Sequence, residues 1–158
     1  MDKVSIIVRS CGRPEVLRGA LESIRKQTYP DVETVVIEDG LEISRQMICT
    51  EYSDLQLRYI STGKRVGRAK AGNLGMKVAQ GKYLNFLDDD DVLYPEHIEI
   101  LLQTLQSAEE KAVYSVAEEA AAIYRKRKRT FYDVRKKVRF REPFNRRYWV
   151  PSHYLRIQ

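Results

Sequence analysis

Cysteine and long apolar runs are both scarce in this sequence of 158 residues, and each scarcity excludes a class of protein. The two cysteines, Cys11 and Cys49, provide neither a disulfide framework nor a zinc-ligand spacing, so we interpret them as reduced thiols of a cytoplasmic protein. No apolar run approaches the ~18 residues that a membrane-spanning helix requires. Residues 1–8 have a strand pattern and lack the apolar core of a signal peptide. Internal repeats and low-complexity linkers are also missing, which leaves a globular chain.

Charged residues are abundant but unevenly distributed. Hydrophobic residues make up 43% of the chain and charged residues 32%, which is the composition of a globular protein with one domain and a real core. The net charge of +6 hides an asymmetry. Residues 125–147 contain 12 Lys and Arg but only Asp133 and Glu142 as acids, a balance of +10, whereas residues 1–124 have a balance of −5. The basic character therefore belongs to one C-terminal segment.

Short apolar strands alternate with amphipathic helices through most of the chain. Apolar runs predict strands at Val4–Val8, Thr34–Ile37, Leu57–Ile60 and Tyr83–Leu87, and a fifth at Ala112–Val116. Apolar residues at helical spacing predict helices from Pro14 to about Gln27, over Ile43–Tyr52 and Arg68–Ala79, and from Pro95 through Leu105, with Gly81 as a left-handed cap of the third. Farther on, Val116–Arg129 has strong helix propensity and Val134–Phe140 resembles an exposed strand. The alternation predicts an α/β fold, with a mostly parallel central sheet and helices on both faces.

Polar residues follow the ends of four predicted strands, at the edge where open parallel sheets bind ligands. They are Arg9 and Ser10, Glu38 and Asp39, Thr62 and Lys64, and the acidic run Asp88–Asp91. The simplest interpretation of four adjacent aspartates is a solvated surface loop. The alternative is that they offer carboxylate oxygens to a hard divalent cation, which proteins often share with substrate phosphates. The meeting of four strand ends at one edge favours a site for a cation and phosphates.

Two long stretches of the sequence resemble the inverting family 2 glycosyltransferases. The first is VSIIVRSCGRPEVLRGALESIRKQTYPDVETVVIEDG, and the second is VGRAKAGNLGMKVAQGKYLNFLDDDDVLYPEHIEILLQTL. Together they cover roughly residues 3–106 and include QTYPD, a strand that ends in Glu38-Asp39-Gly40, Asn73 ahead of Gly75, and a DxD-type acidic run. The resemblance implies a GT-A fold with a Rossmann-like nucleotide-binding half. It also implies transfer of a sugar from a nucleotide-sugar, most often a UDP-sugar, to a glycan or lipid-linked acceptor with inversion.

The resemblance also implies roles for single residues. It places Arg9 and Ser10 beside the nucleotide, Asp39 at the base, Arg68 at the base and phosphates, Asp88 near the ribose, and Asp90 on a Mn²⁺ or Mg²⁺ ion, with Asp89 between them. The fourth acid, Asp91, leaves the register of this run open by one residue. Two alternatives also remain open: Asp39 caps the turn before Gly40, or Arg68 is a solvated residue at a helix start.

The sequence departs from the family pattern at the site and in length. Arg9 stands where a small or hydroxyl residue is usual, Cys11 replaces an aromatic residue, and Gly72 replaces an arginine. The acceptor half of the family, with its general base, normally lies beyond the last residue present. We therefore expect residues 1–116 to form the nucleotide-sugar-binding domain and residues 117–158 a basic segment that begins an incomplete acceptor region. The general base stays unidentified.

The basic C-terminal segment has three interpretations. Its lysines, arginines and interleaved aromatic residues could bind nucleic acid, which is the alternative function and one that the family resemblance disfavours. They could instead contact an anionic membrane from the cytoplasmic side, as suits a lipid-linked acceptor. The simplest interpretation is a solvated or acceptor-facing surface.

Overall fold

Alternating strands and helices build most of the chain. The computed structural model describes residues 1–107, 112–115, 117–125, 128–138 and 154–157. The strands are β1 (Val4–Ser10), β2 (Val32–Glu38), β3 (Leu57–Ser61), β4 (Tyr83–Asp88), β5 (Ala112–Tyr114), β6 (Ala117–Arg125), β7 (Lys128–Val138) and β8 (Tyr154–Ile157). The helices are α1 (Pro14–Arg25), α2 (Arg45–Glu51), α3 (Arg68–Val78) and α4 (His97–Ser107).

The central sheet has six strands in the order β3-β2-β1-β4-β8-β5. The first four are parallel, as the alternation of strands and helices predicts. Strand β8 is antiparallel to both β4 and β5, so a strand from the C-terminal segment joins the same sheet. Strands β6 and β7 form a separate antiparallel pair. The predicted α/β fold with a mostly parallel sheet is confirmed.

Two apolar clusters cover the two faces of the sheet. Successive strand residues point to opposite faces, so Ile6 and Val8 of β1 pack with α1, α2 and α4, while Ile7 packs with α3. All three side chains are fully buried, and each such burial contributes about 1.5–3 kcal/mol. The predicted placement of helices on both faces is therefore confirmed.

Gly81 is required for close packing and does not form the predicted left-handed cap. Helix α3 ends at Val78, and its cap residue Ala79 is extended, with φ −62° and ψ 139°. Gly81 is absent from the glycines with positive φ. Its amide donates to the Ser5 hydroxyl at 2.8 Å, and an added Cβ would lie 2.5 Å from the Ser5 nitrogen. The glycine is needed because two backbone segments touch there.

Helix α1 ends at Arg25, earlier than predicted, and α4 begins later, at His97. Gln27 connects the two ends. Its side-chain amide donates to the Tyr94 carbonyl at 2.8 Å, and its side-chain oxygen accepts a hydrogen bond from the Ile98 amide at 3.1 Å. Gln27 therefore satisfies an N–H at the start of α4 that has no partner inside the helix.

The helix expectation for Val116–Arg129 is wrong, because Ala117–Arg125 is strand β6. It pairs with β7, which includes most of the strand predicted at Val134–Phe140. Helix propensity is a weak local preference, and strand pairing overrides it here. In the part of the chain that the structure describes, no helix combines the length and apolarity needed to cross a bilayer.

Candidate functional site

The carboxyl ends of β1, β2 and β4 lie level with one another. The register pairs Ser10 of β1 with Glu38 of β2, and Arg9 of β1 with Asp88 of β4. The acids that follow β2 and β4 therefore lie at the same edge of the sheet, on either side of β1. This is the edge where parallel α/β sheets bind ligands.

The four aspartates after β4 do not point the same way. The chain turns at this point, and the Asp91 amide donates to the Asp88 carbonyl at 3.1 Å. One oxygen from each of Asp88, Asp90 and Asp91 lies within 4.8 Å of the others. Asp89 instead points inward and is 1% exposed. The run thus divides into a cluster of three carboxylates and one buried acid.

Arg13, which precedes α1, holds the buried acid. Its Nε donates to Asp89 Oδ2 at 3.2 Å and its Nη2 to Asp89 Oδ1, and its Nη1 lies 3.5 Å from Asp90 Oδ2. Burial raises the pKa of Asp89, and the Arg13 charge opposes that rise. Two parallel bonds fix both the orientation and the charge of a carboxylate. Arg13 therefore positions the turn on which the three-carboxylate cluster is built.

Arg9 occupies the other side of the acidic turn. Its Nη2 donates to Asp88 Oδ1, and its guanidinium carbon lies 5.9 Å from the centre of the Phe86 ring. Both charged side chains are mostly buried, with 20% and 19% of their surfaces exposed. An added Cβ on Gly72 of α3 would lie 3.5 Å from Arg9 Cδ. Arg9 thus reaches Asp88 along the face of the sheet that α3 covers.

Glu38, the last residue of β2, is fully buried and saturated with hydrogen bonds. It accepts bonds from the Gly12 amide at 3.1 Å, from the Ser44 amide at 2.9 Å and hydroxyl at 3.2 Å, and from the Tyr59 hydroxyl. These donors come from three segments around the end of the sheet. Glu38 therefore joins these segments and has a structural role.

Asp39 reaches the loop that precedes α3. Its carboxylate accepts hydrogen bonds from the Val66 amide at 2.6 Å and from the Gly67 amide at 3.0 Å. The loop turns at Gly63 and Gly67, both of which have positive φ, a conformation that favours glycine. The Thr62 hydroxyl donates a third, longer bond to Asp39 Oδ1 at 3.4 Å. A carboxylate offers about four lone-pair positions, so Asp39 retains acceptor capacity after these three bonds.

The other residues expected at the site lie at the same edge of the sheet. Ser10 ends β1 and is 3% exposed. Arg68 is the first residue of α3 and is exposed. Lys64 is exposed in the loop after β3. The structure thus pairs Arg9 with Asp88 and places Asp39 against the loop before α3. Ser10 is buried at the end of β1.

Neither the role of Arg13 nor the separation of Asp89 from its neighbours was predicted from the sequence. A signal for both was present. Leu87 packs in the cluster on the α1 face, so the two-residue period of a strand sends Asp89 toward the same face. Helix α1 covers that face and begins directly after Arg13.

The donor set of the cluster suits a hard divalent cation. Asp88, Asp90 and Asp91 supply only carboxylate oxygens, the ligand type that Mg²⁺ and Mn²⁺ prefer. The Asp90 side chain is 54% exposed and open to an ion from solvent, whereas that of Asp88 is 19% exposed. Arg9 and Arg13 offset two of the four negative charges in the run. The residues present therefore fit a metal ion.

Comparison with known proteins agrees on one family. The family model described as Glycosyl transferase family 2 matches residues 5–155. The chain is 30% identical over 112 residues to the glycosyltransferase GlyG of Streptococcus pneumoniae, covering 70% of this chain and 37% of GlyG. It is 40% identical over 107 residues to an uncharacterized glycosyltransferase of Rickettsia felis, covering 66% and 17%. The uncharacterized glycosyltransferase YwdF of Bacillus subtilis is 32% identical over 136 residues, covering 86% and 49%. The chain thus spans less than half the length of each of these relatives.

Solved structures agree on the fold. S. aureus TarS in complex with UDP-GlcNAc superposes with a TM-score of 0.64 at 24% identity, covering 70% of this chain and 33% of that one. The mannosyltransferase PcManGT of Pyrobaculum calidifontis, in complex with GDP-Man and Mn²⁺, gives a TM-score of 0.66 at 22% identity, covering 72% and 35%. The expected GT-A fold is confirmed, and the family match over most of the chain shows that it belongs to glycosyl transferase family 2.

Proposed function

We propose that this chain is the nucleotide-sugar-binding part of a metal-dependent, inverting glycosyltransferase. The observation that carries the proposal is the cluster of Asp88, Asp90 and Asp91 at the carboxyl edge of a parallel sheet. The donor is a nucleoside diphosphate sugar, most often a UDP-sugar in this family. The acceptor is a glycan or a lipid-linked glycan.

Residues on the two sides of the sheet edge bind different parts of the donor. At the end of β2, Asp39 accepts a hydrogen bond from the base, and Arg68 at the start of α3 contributes positive charge near the base and phosphates. At β1 and β4, Arg9, Ser10, Asp88 and Asp89 form the side toward the ribose and diphosphate. Asp89 acts there indirectly, since its carboxylate is buried against Arg13.

Asp90 is the principal ligand proposed for a Mn²⁺ or Mg²⁺ ion, with Asp91 and Asp88 beside it. When bound, such an ion neutralises charge on the leaving diphosphate as a Lewis acid. Arg13 keeps the Asp90 carboxylate at the edge of the cluster, and Arg9 and Arg68 add positive charge where the diphosphate leaves. A general base for the acceptor hydroxyl stays unassigned.

The division of the chain is part of the proposal. Residues 1–116 form the nucleotide-sugar domain, and residues 117–158 begin the acceptor side, with β8 of that segment returning to the central sheet. A cytoplasmic location, with the basic residues 125–147 against an anionic membrane, would suit a lipid-linked acceptor. The nucleic-acid alternative rests on the charge of the same segment, and its side chains lie outside the described residues.

Calorimetry tests the proposal. We expect UDP to bind more tightly with Mn²⁺ than with EDTA, and Asp90→Ala to remove that difference, because the carboxylate is the fixed part of the ion's shell. GDP serves as the second nucleotide, because the two structural neighbours carry UDP-GlcNAc and GDP-Man. Arg25→Ala is the matched control, since Arg25 pairs with Asp54 at the far end of α1. Equal affinity for UDP with Mn²⁺ and with EDTA would contradict metal dependence, and no binding of either nucleotide would contradict the donor site.

A further inference from the structure

Arg9 contributes a fixed positive charge to the edge of the candidate site. Its strand register places it directly opposite Asp88. Its Nη2 bonds the Asp88 carboxylate, and its Nε is buried and has no hydrogen-bond partner among the described residues. An arginine side chain stays protonated in proteins, so Asp88 has a permanent cationic partner.

Gly72 supplies the space that Arg9 uses. An added Cβ there would make ordinary contacts, 3.5 Å from Arg9 Cδ and 3.7 Å from Phe86 Cε1. A longer side chain at this position would need the volume that Arg9 and the Phe86 ring fill. Arg9 and Gly72 both depart from the family pattern, and they pack directly against each other.

The Arg9–Asp88 ion pair limits which carboxylates a divalent ion can bind in the absence of nucleotide. One oxygen of Asp88 is held by Arg9, and the pair is mostly buried. Separating such a pair leaves a charge in a poorly solvated place, which is unfavourable unless a new partner arrives. An ion without nucleotide therefore competes with Arg9 for Asp88, whereas the Asp90 side chain is 54% exposed and open to it.

We propose, on the basis of the donor-binding function above, that Arg9 makes binding of the divalent ion and of the nucleoside diphosphate mutually dependent. In the free protein Arg9 holds Asp88. A diphosphate gives the guanidinium a second anionic partner, in the two-pronged geometry that arginine favours for phosphate. Asp88 is then released toward the ion. Each ligand thus strengthens the other, and such couplings are typically about 5–150-fold.

The test measures both ligands separately and together. Mn²⁺ is titrated alone and with saturating UDP, and UDP is titrated with Mn²⁺ and with EDTA, by calorimetry and by the paramagnetic resonance signal of free Mn²⁺. For the wild-type chain we expect UDP to raise the affinity for Mn²⁺ by at least about fivefold. For Arg9→Met we expect affinity for Mn²⁺ alone to rise by about fivefold, because Asp88 is released, and the coupling to fall by the same factor.

Arg9→Lys and Arg25→Ala control for charge and for nonspecific effects. The lysine keeps the charge, so its affinity for Mn²⁺ alone should stay within about twofold of wild type, a difference of about 0.4 kcal/mol. Arg25→Ala removes the same charge far from the site and should leave both affinities and their coupling unchanged. If Arg9 were merely structural, Arg9→Met would weaken both ligands together and leave their coupling intact.

Two aspartate variants test the proposal without changing Arg9, and they decide it if Arg9→Met fails to fold. Asp88→Asn should change the affinity for Mn²⁺ alone by less than about twofold, because Arg9 already occupies that carboxylate, whereas Asp90→Asn should lower it by about tenfold, equivalent to 1.4 kcal/mol. Equal losses in both variants would overturn the proposal.

The outcomes separate this inference from the function on which it rests. If the wild-type chain binds neither UDP nor GDP under any condition, the donor-binding function is wrong and the inference is wrong with it. If UDP binds with Mn²⁺ but Arg9→Met keeps the wild-type coupling, only the inference is overturned.

Discussion

The acids at the end of β2 and the acids at the end of β4 have the same arrangement but different partners. At the end of β2 the buried acid is Glu38, and Asp39 lies nearer to α3. At the end of β4 the buried acid is Asp89, and Asp88 lies nearer to α3. At β2 the acids Glu38 and Asp39 accept hydrogen bonds from backbone amides and hydroxyls. At β4 the acids Asp88 and Asp89 are bonded to arginines.

The difference lies in how fixed the partners are. Amide and hydroxyl donors belong to the fold and stay in place, so the β2 acids hold segments together, and the proposed contact of Asp39 with the base uses only its remaining acceptor capacity. An arginine is a cation and can be exchanged for, or shared with, another charged group. The β4 acids are therefore suited to a site whose charge changes when ligands bind.

The largest expected effect comes from removing the buried acid of β2. Glu38→Ala leaves four buried or half-buried donors without their acceptor. We expect a loss of about 4 kcal/mol in the free energy of unfolding, because each donor left without a partner is costly. Urea unfolding followed by circular dichroism measures it. Asp90→Ala, an exposed acid of the β4 turn, should change stability by less than about 0.5 kcal/mol. Similar losses in the two variants would contradict the distinction between the two strand ends.

Arg13→Ala tests the β4 side, with a smaller expected loss. Asp89 is buried and Arg13 is half-exposed, so we expect a loss of about 2 kcal/mol at neutral pH, between the values for surface and for buried pairs. Arg13→Lys should recover only part of it, because lysine cannot make two parallel bonds. The midpoint and slope of urea unfolding for the two variants provide the measurement. Full recovery by lysine would show that charge, and not the paired geometry, holds the turn.

Asp39→Ala should loosen one loop with little effect on global stability. The variant removes the acceptor of the Val66 and Gly67 amides. One lost bond to a charged group corresponds to about 1.5 kcal/mol, so exchange of these two amides should become about tenfold faster. Hydrogen exchange followed by NMR measures it, with the Ile7 amide in the core as the internal reference. Unchanged exchange at Val66 and Gly67 would mean that Asp39 does not restrain the loop.

Most of the sheet could be predicted from the sequence because its signals are local. Apolar runs such as Val4–Val8 and Tyr83–Leu87 lie inside β1 and β4, and the glycine and proline breaks between them mark the crossovers. Because the strands are parallel, their carboxyl ends lie at the same edge of the sheet. The acidic cluster was therefore predicted at the right edge.

The partners of each acid could not be predicted because they come from distant parts of the chain. Arg13 and Asp89 are 76 residues apart, and Arg9 and Asp88 are 79 apart. Which aspartate turns inward depends on the strand face and on a turn of a few residues. Strand β6 was missed for a different reason, because its helix propensity is a weak preference that antiparallel pairing with the next strand, β7, overrides.

The last expected effect is a dependence of the Arg13→Ala loss on pH. Burial raises the pKa of Asp89 above the usual value of 3.8, against the opposing charge of Arg13. A carboxyl group whose pKa is higher in the folded than in the unfolded state favours folding when protonated, and this contribution disappears as the pH rises through the folded pKa. Without Arg13 the opposing charge is gone, so the pKa of Asp89 should rise further.

We therefore expect the free energy of unfolding of Arg13→Ala to fall more steeply than that of the wild type as the pH rises above 3.8. At acid pH the protonated Asp89 needs no cationic partner, so the two chains should approach each other in stability. At neutral pH the ionised, buried carboxylate lacks its arginine, and the gap should be widest. Urea unfolding at a series of pH values measures the gap. The variant Arg13→Ala/Asp89→Asn is the control, because it removes the titrating group and should make the difference from Asp89→Asn independent of pH. A gap between Arg13→Ala and the wild type that narrows with rising pH would show that Arg13 does not stabilise the ionised form of Asp89.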